Sequence, residues 1–354
     1  MCELLGMSFN LPVRPSISFR GFRHRGKYNP DGWGIAFYPD ECASAAQVIK
    51  EPIEAKESKL SKFLKDYEKV KSKIFVAHVR RASVGEKGRY KNTHPFCREL
   101  NEVEYVFAHN GTLNKTFKKT LELVRFKPIG ETDSEHAFCY LLKCIEERGI
   151  AQWKKNDFDW LTEKLREINK YGTFNCIFSD GKHLFCYYDE NGYNGLCFVQ
   201  RKPPYSKIQL LDEDWEINLA EEKRPEQTGY IVATRRLTDE QWQDFKFGEL
   251  IVFKGGKMIY SNCRDVSNLL LEEPLTCKEK EILRILRGSP HRLSLREIIE
   301  NSKYSADEIK SAVHSLLCKG YIRQDRRDEV GWNHDKARFF TEPEKRKEID
   351  AEIK

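Results

Sequence analysis

No stretch of this 354-residue chain approaches the roughly 18 consecutive apolar residues that a membrane helix requires, so no membrane-spanning role is expected. The opening MCELLGMSFNLP lacks the basic head, apolar middle and small-residue cleavage site of a secretory signal. Eleven cysteines include no C-x-x-C pair, and their odd number excludes a fully paired disulfide framework. Cys176, Cys186 and Cys197 sit among β-branched and aromatic residues, and Cys139 and Cys144 in a helical pattern, where a thiol packs as a small hydrophobe. The chain therefore reads as cytoplasmic and reduced. A nucleotide-binding loop is missing too: Asp31-Gly32-Trp33-Gly34 lacks the third glycine of a dinucleotide fingerprint and reads as a tight turn. No two histidines stand four apart on a helix, so His78, His94 and His109 read as hydrogen-bonded structural residues, and no metal or cofactor is expected. The net charge of +6 comes from 61 basic and 55 acidic residues that interleave, a balance that does not by itself call for nucleic acid.

What is present is a strand-rich body followed by a change of texture. Up to about residue 265 short apolar runs recur, among them DGWGIAFYP, KIFVAHV, EYVFAHN, TFNCIFSD, HLFCYY, GYIVAT and LIVFKGGKMIY. One helical stretch follows ETDSEH, with Ala137, Phe138, Leu141, Leu142 and Ile145 at helical spacing. A second runs through Phe158, Leu161, Leu165 and Ile168, and a more charged one is predicted over 58–71. Many strands with few helices predict stacked sheets covered by helices, an α+β fold. After Pro274, Thr276-x-x-Glu279, Ser294-x-x-Glu297 and Ser305-x-x-Glu308 each fit a capping box and predict three short helices. The third carries Ile309, Val313, Leu316 and Leu317 on one face. Two strand-like runs in YIRQDRRDEVGWNHDKARFFT follow, so that residues 275–341 resemble a winged helix-turn-helix domain. Residues 342–354 read as a solvated charged tail.

Cys2 poses the chemical question. Removal of Met1, expected because the second side chain is small, leaves a thiol and an α-amine on one residue, a nucleophile with its own base. The amine, with a reference pKa of about 7.7–8.0, is partly neutral at pH 7, whereas a thiol near 8.5 is mostly protonated there. Amide cleavage also needs an oxyanion hole and grips for the substrate. Two strand ends supply candidates: FVAHVRR runs into Arg80, and YVFAHNG into Asn110 and Gly111. A guanidinium can hold a carboxylate bidentately, and an amide with a glycine N–H can bind a developing oxyanion. Asp133 falls at a helix start, where the macrodipole favours an ionised carboxylate able to receive an ammonium group. A thiol, an oxyanion hole, a carboxylate grip and an ammonium grip together fit a γ-glutamyl amide such as glutamine.

MCELLG, NPDGWGIAFY, FVAHVRRASVG, NTHPF, FAHNGTL and GETDSEHAF stand in the order found in class II glutamine amidotransferases, the N-terminal-nucleophile group. The chain resembles the short branch of that family, without an attached synthetase, over residues 2–270. The resemblance implies a four-layer αββα sandwich. It implies Cys2 as nucleophile with its amine as base, Asn110 and Gly111 as oxyanion hole, and Arg80 and Asp133 as grips for the α-carboxylate and α-ammonium groups. Ser83 sits where the family often has Thr near the substrate. Arg81 stands where sugar-forming members carry Trp, and Val84 where some carry His. An ammonia-accepting partner protein is expected if ammonia is transferred, because the chain shows no synthase domain of its own.

Each feature also has a plainer reading. Asn110-Gly111 is a strong hairpin-turn signal, Arg80 can be a solvated strand-end charge, and Thr132 or Asp133 can simply cap a helix. In the C-terminal segment Lys310, Arg323, Arg326 and Arg327 are candidates for phosphate contacts that would give salt-dependent DNA affinity. The third helix begins Ser305-Ala306-Asp307-Glu308, with acids where readers of the major groove present polar or basic groups, so protein docking or weak DNA contact is expected over sequence readout. The alternative to an enzyme is a glutamine-sensing regulator that binds DNA or protein through the winged helix.

Overall fold

The computed structural model describes residues 2–40, 43–82, 87–150, 152–224, 226–266, 275–325 and 335–353 of the 354. The chain divides into two compact units. Met1–Lys202, Ser206–Leu219 and Thr228–Leu270 form the first; Pro203–Tyr205, Ala220–Gln227 and Leu271–Lys354 form the second.

The chain opens with β1 (Glu3–Val13), α1 (Ser16–His24), β2 (Trp33–Phe37), β3 (Gln47–Glu51), α2 (Lys59–Asp66) and β4 (Ser72–Val79). There follow β5 (Phe96–Leu100), β6 (Val103–Leu113), α3 (Phe117–Thr120), α4 (Asp133–Arg148) and α5 (Lys155–Asn169). The next run is β7 (Gly172–Ser179), β8 (His183–Tyr187), β9 (Cys197–Arg201), β10 (Lys207–Gln209), β11 (Glu216–Asn218) and α6 (Leu219–Glu222). Last come β12 (Gly229–Ala233), β13 (Gln243–Asp244), β14 (Leu250–Lys254) and β15 (Lys257–Ser261). A seven-stranded sheet has the order β13-β9-β12-β1-β4-β2-β3 and a six-stranded sheet the order β15-β14-β8-β7-β6-β5.

Period-two alternation assigns the layers. In β1, Leu5, Met7 and Phe9 pack with Phe19 and Phe22 of α1 and Leu64 of α2, while Leu4 faces the other way. In β4, Phe75, Ala77 and Val79 join that outer cluster, and Ile74 and Val76 turn inward. The six-stranded sheet mirrors this. Val106 and Ala108 of β6 meet Ile74 and Val76 between the sheets, whereas Phe107 packs with Phe138 of α4 and Leu161 and Leu165 of α5. Phe107 and Phe138 stack at 5.0 Å. The result is helices, sheet, sheet, helices, the αββα layering implied by the resemblance. Gly6 serves this packing, since a Cβ there would stand 3.1 Å from Ile177 of the facing sheet.

The second unit contains α7 (Cys277–Gly288), α8 (Leu295–Glu300), α9 (Ala306–Cys318), β16 (Ile322–Gln324), β17 (Phe339–Thr341) and α10 (Arg346–Glu352). All three capping boxes form, with Glu279, Glu297 and Glu308 reaching back to Thr276, Ser294 and Ser305. Residues 342–354 correct the sequence reading. They are not simply a solvated tail: α10 forms, Ile349 is fully buried with Ile282, Val313 and Leu316, and Asp350 takes Arg287 Nε at 2.8 Å. The charged helix over 58–71 is shorter than expected, ending at Asp66. Among the described residues no helix is long and apolar enough to cross a membrane.

Candidate active site

The alternation that builds the layers also gathers the site. Cys2 continues the inward row of Leu4, Arg80 that of Ile74, Val76 and His78, and Asn110 that of Val106 and Ala108. Because β1 and β4 are antiparallel, with Glu3 opposite Val79, the first residues of one lie beside the last of the other. The Cys2 thiol rests on the backbone of Arg81: Arg81 N–H donates to Sγ at 3.2 Å, and Sγ–H donates to Arg81 O at 3.3 Å. Cys2 keeps part of its surface in solvent, but the sulfur lies among protein atoms. Burial pushes its pKa above the ordinary value, Asp133 adds to this, and the Arg81 amide, the chain's terminal ammonium and Arg80 oppose it. With Met1 in place the resting side chain of Cys2 is thus a thiol.

Arg80 is buried, and its amide donates to Gly32 O at 2.7 Å while its carbonyl takes Asp31 N–H at 3.0 Å. Burial lowers its pKa, countered by the charges of Cys2, Asp31 and Asp133, which places these groups in one electrostatic neighbourhood. It is not a solvated strand-end charge. Asp31 in turn accepts Ala82 N–H at 2.9 Å, tying down the chain just after Arg80.

Asn110-Gly111 is not a hairpin turn. Both residues lie inside the eleven-residue strand β6, opposite Asn175 and Phe174 of β7. Glycine is required at 111 because a Cβ would come within 2.0 Å of Thr173 O and 2.6 Å of His109 Nε2. The Asn110 side chain is 1% exposed, and its Nδ2 makes no hydrogen bond within the protein. Thr132 is the helix cap of α4, its Oγ1 accepting Glu135 N–H at 3.2 Å. That leaves Asp133 as the first helical residue, accepting Leu113 N–H at 2.7 Å and Ser134 N–H at 2.9 Å, one at each oxygen. The carboxylate is thereby fixed to the end of β6, and its Oδ1 also accepts Ser134 Oγ–H at 3.5 Å.

His109 is hydrogen-bonded as expected, to Ser134 Oγ at 2.8 Å and Thr173 O at 3.2 Å. His78 and His94 differ from the expectation. Their rings lie 4.3 Å apart at a tilt of 38°, and their four ring nitrogens make no hydrogen bond of good geometry, although the His109 backbone lies beside the His78 ring. Burial drives the His78 pKa down to about 3 and that of His94 well below its ordinary value. Among the described residues no three His, Cys, Asp or Glu side chains gather in a metal-holding arrangement.

Ser83, Arg326 and Arg327 lie outside the described residues. Lys310 and Arg323 belong to the second unit, where Lys310 pairs with Asp307 at 3.5 Å and Arg323 with Glu342. A phosphate at Arg323 would compete with that carboxylate.

Two residues at Cys2 were missed by the sequence reading. Asn194, in the turn ENGYNG, donates from Nδ2 to Cys2 O at 3.1 Å. Glu3 is buried between Arg25, at 3.0 Å, and Arg235. A cavity of about 650 Å³ adjoins on the Asn194 side, lined by Asn194, Thr234, Arg236, Phe245 and Phe247 among others, but not by Cys2.

Residues 1–276 match the family described as Glutamine amidotransferases class-II. The chain belongs to the class II glutamine amidotransferases. Among its relatives in this family, the Escherichia coli protein YafJ, whose name carries a provisional glutamine amidotransferase assignment, is 38% identical over 266 residues, covering 73% of this chain and 100% of YafJ. An uncharacterised Methanocaldococcus jannaschii protein is 50% identical over 361 residues, spanning 100% of this chain and 97% of the relative. A Pseudomonas aeruginosa crystal structure described as a predicted glutamine amidotransferase has a TM-score of 0.54 at 31% identity, covering 73% of this chain and 100% of that one. The Bacillus subtilis glutamine phosphoribosylpyrophosphate amidotransferase shares the fold at a TM-score of 0.51 and 16% identity, over 92% of this chain and 67% of that one.

Proposed function

We propose that this amidotransferase hydrolyses the γ-amide of glutamine, or of a related γ-glutamyl compound, through a thioester at Cys2. The observation that carries the reading is the buried Asn110 Nδ2, a donor without a protein partner at the end of the same inward rows as Cys2 and Arg80. A buried donor left unpaired costs about 1–3 kcal/mol, and a substrate oxyanion would take that bond. With Met1 removed, the α-amine of Cys2 takes the thiol proton and Sγ attacks the amide carbon. The oxyanion is held by Asn110 Nδ2 and the Gly111 N–H. The proton passes from the α-ammonium to the departing nitrogen, ammonia leaves, and water then hydrolyses the thioester. Arg80 holds the α-carboxylate and Asp133 the α-ammonium group. A raised thiol pKa makes the base necessary, since little thiolate exists at neutral pH without it.

YafJ is matched along its whole length by 73% of this chain, which supports a branch without a synthetase and an ammonia acceptor, if one is used, on a partner protein. Three capped helices followed by a two-stranded sheet support reading 275–341 as a winged helix-turn-helix domain for protein docking or weak DNA contact. A glutamine-sensing regulator draws no support from the family match. Intact mass after exposure to an electrophilic glutamine mimic tests the chemistry. Loss of Met1 with one adduct on Cys2 is expected, together with loss of glutamine turnover in Cys2→Ala at an unchanged melting temperature. Wild-type turnover in Cys2→Ala would end the reading.

A further inference from the structure

We propose that Asn194 is a positioning residue for the Cys2 nucleophile, its side-chain amide standing in for a sheet hydrogen bond at the residue just outside the paired register of β1. The inference rests on the hydrolase reading above.

The register of β1 on β4 begins at Glu3–Val79, so Cys2 is one residue beyond the ladder. Terminal residues fray unless they are tied down. Once Met1 is gone, Cys2 is the chain end, and the thiol and amine must keep one orientation about its backbone. Asn194 Nδ2 donates to Cys2 O at 3.1 Å and fixes the carbonyl of that residue. Further along the strand, Glu3 is held by Arg25 and Arg235 through its side chain, and Leu4 N–H donates to Thr234 Oγ1 at 2.8 Å.

The turn that carries Asn194 is built with unusual care. Asn194 is left-handed at φ +55°, between Gly192 at +77° and Gly195 at +76°. Asp189, fully buried, accepts Asn191 N–H at 2.8 Å and Tyr193 N–H at 3.3 Å on one oxygen. Its other oxygen accepts Phe174 N–H and Asn169 Nδ2 at 2.8 and 2.7 Å. Asn175, also fully buried, donates to Tyr193 O at 2.7 Å and accepts Asp189 N–H at 2.8 Å. Asn175 stands directly opposite Asn110 in the β6–β7 pairing. One buried polar set therefore links the strand of the oxyanion donor to the turn that holds the nucleophile. A turn that merely joined β8 to β9 would need neither the Asn175 brace nor a side chain at a left-handed position, where glycine is freer.

The test uses the full-length protein lacking Met1, in wild-type, Asn194→Gly and Asn194→Asp forms. Glycine suits φ +55°, so Asn194→Gly deletes the donor while keeping the turn, and its melting temperature is expected at or above wild type. Its kcat for glutamine hydrolysis is expected to fall roughly 10- to 100-fold, with KM changed less than about threefold. Asn194→Asp, which offers the carbonyl an acceptor instead of a donor, is expected to be no better. Wild-type kcat in Asn194→Gly would overturn the proposal, as would a loss of kcat that comes with a fall in melting temperature and a matching rise in KM. If Cys2→Ala is itself fully active, the hydrolase reading fails first, so the two failures are separable.

Discussion

Replacing Asn110 by Ala removes a hydrogen-bond donor that serves no atom of the protein. On the hydrolase reading, kcat is expected to fall about 10²- to 10³-fold with KM nearly unchanged. The melting temperature is expected to stay level or rise, because an unsatisfied buried donor has gone. Steady-state kinetics read beside a thermal melt check both, and a loss of stability in step with activity would count against the role. The placement of Cys2, Arg80 and Asn110 at the ends of inward strand rows, and of Asp133 at a helix start, was legible because each sits where an apolar run begins or ends or where a helix begins. Asn194 and Glu3 were not. Their partners are remote in sequence, 192 residues from Asn194 to Cys2 and 232 from Glu3 to Arg235, and no local pattern marks such a pair. The pKa of the Cys2 thiol was equally hidden, since its direction depends on burial rather than on neighbours in the chain.

Strands and helices with a clear period were legible as elements, and the exceptions have physical causes. Asn110-Gly111 carries the chemistry of a tight turn, yet β7 pairs with β6 as far as Leu113, and the ladder overrides the local preference. The last residues offered only Ile349 and Ile353 among charges, too sparse an apolar stripe to announce α10. The packing makes a prediction at this scale. Ile349→Ala is expected to destabilise the chain by about 2–5 kcal/mol, the usual loss for truncating a fully buried isoleucine. Denaturant unfolding of the whole protein measures it. A change below about 0.5 kcal/mol would restore the reading of a solvated tail.

At the scale of the whole molecule, the two-sheet body could be anticipated from the density of strand runs, whereas strand order could not, because β1 has β12 and β4 as neighbours, both remote in sequence. Stability as a function of pH is also a property of the whole. His78 and His94 are neutral when folded, with pKa values depressed to about 3 and well below the ordinary value, while an unfolded histidine titrates near 6.5. Their contribution is complete above about pH 6.5 and is lost below it, since the unfolded chain then binds protons that the folded one refuses. The loss approaches about 1.4 kcal/mol per pH unit for each group until the folded pKa is reached. Melting temperatures measured from pH 7 to pH 4 are expected to fall steadily, and His78→Gln is expected to flatten that slope. An unchanged slope would mean that the imidazole titrates normally in the folded state. The seat of the Cys2 sulfur on the Arg81 backbone has a consequence for survival in an oxidising spell. Peroxide attacks thiolate rather than thiol, so a Cys2 side chain kept protonated by burial is guarded against oxidation without the help of a disulfide.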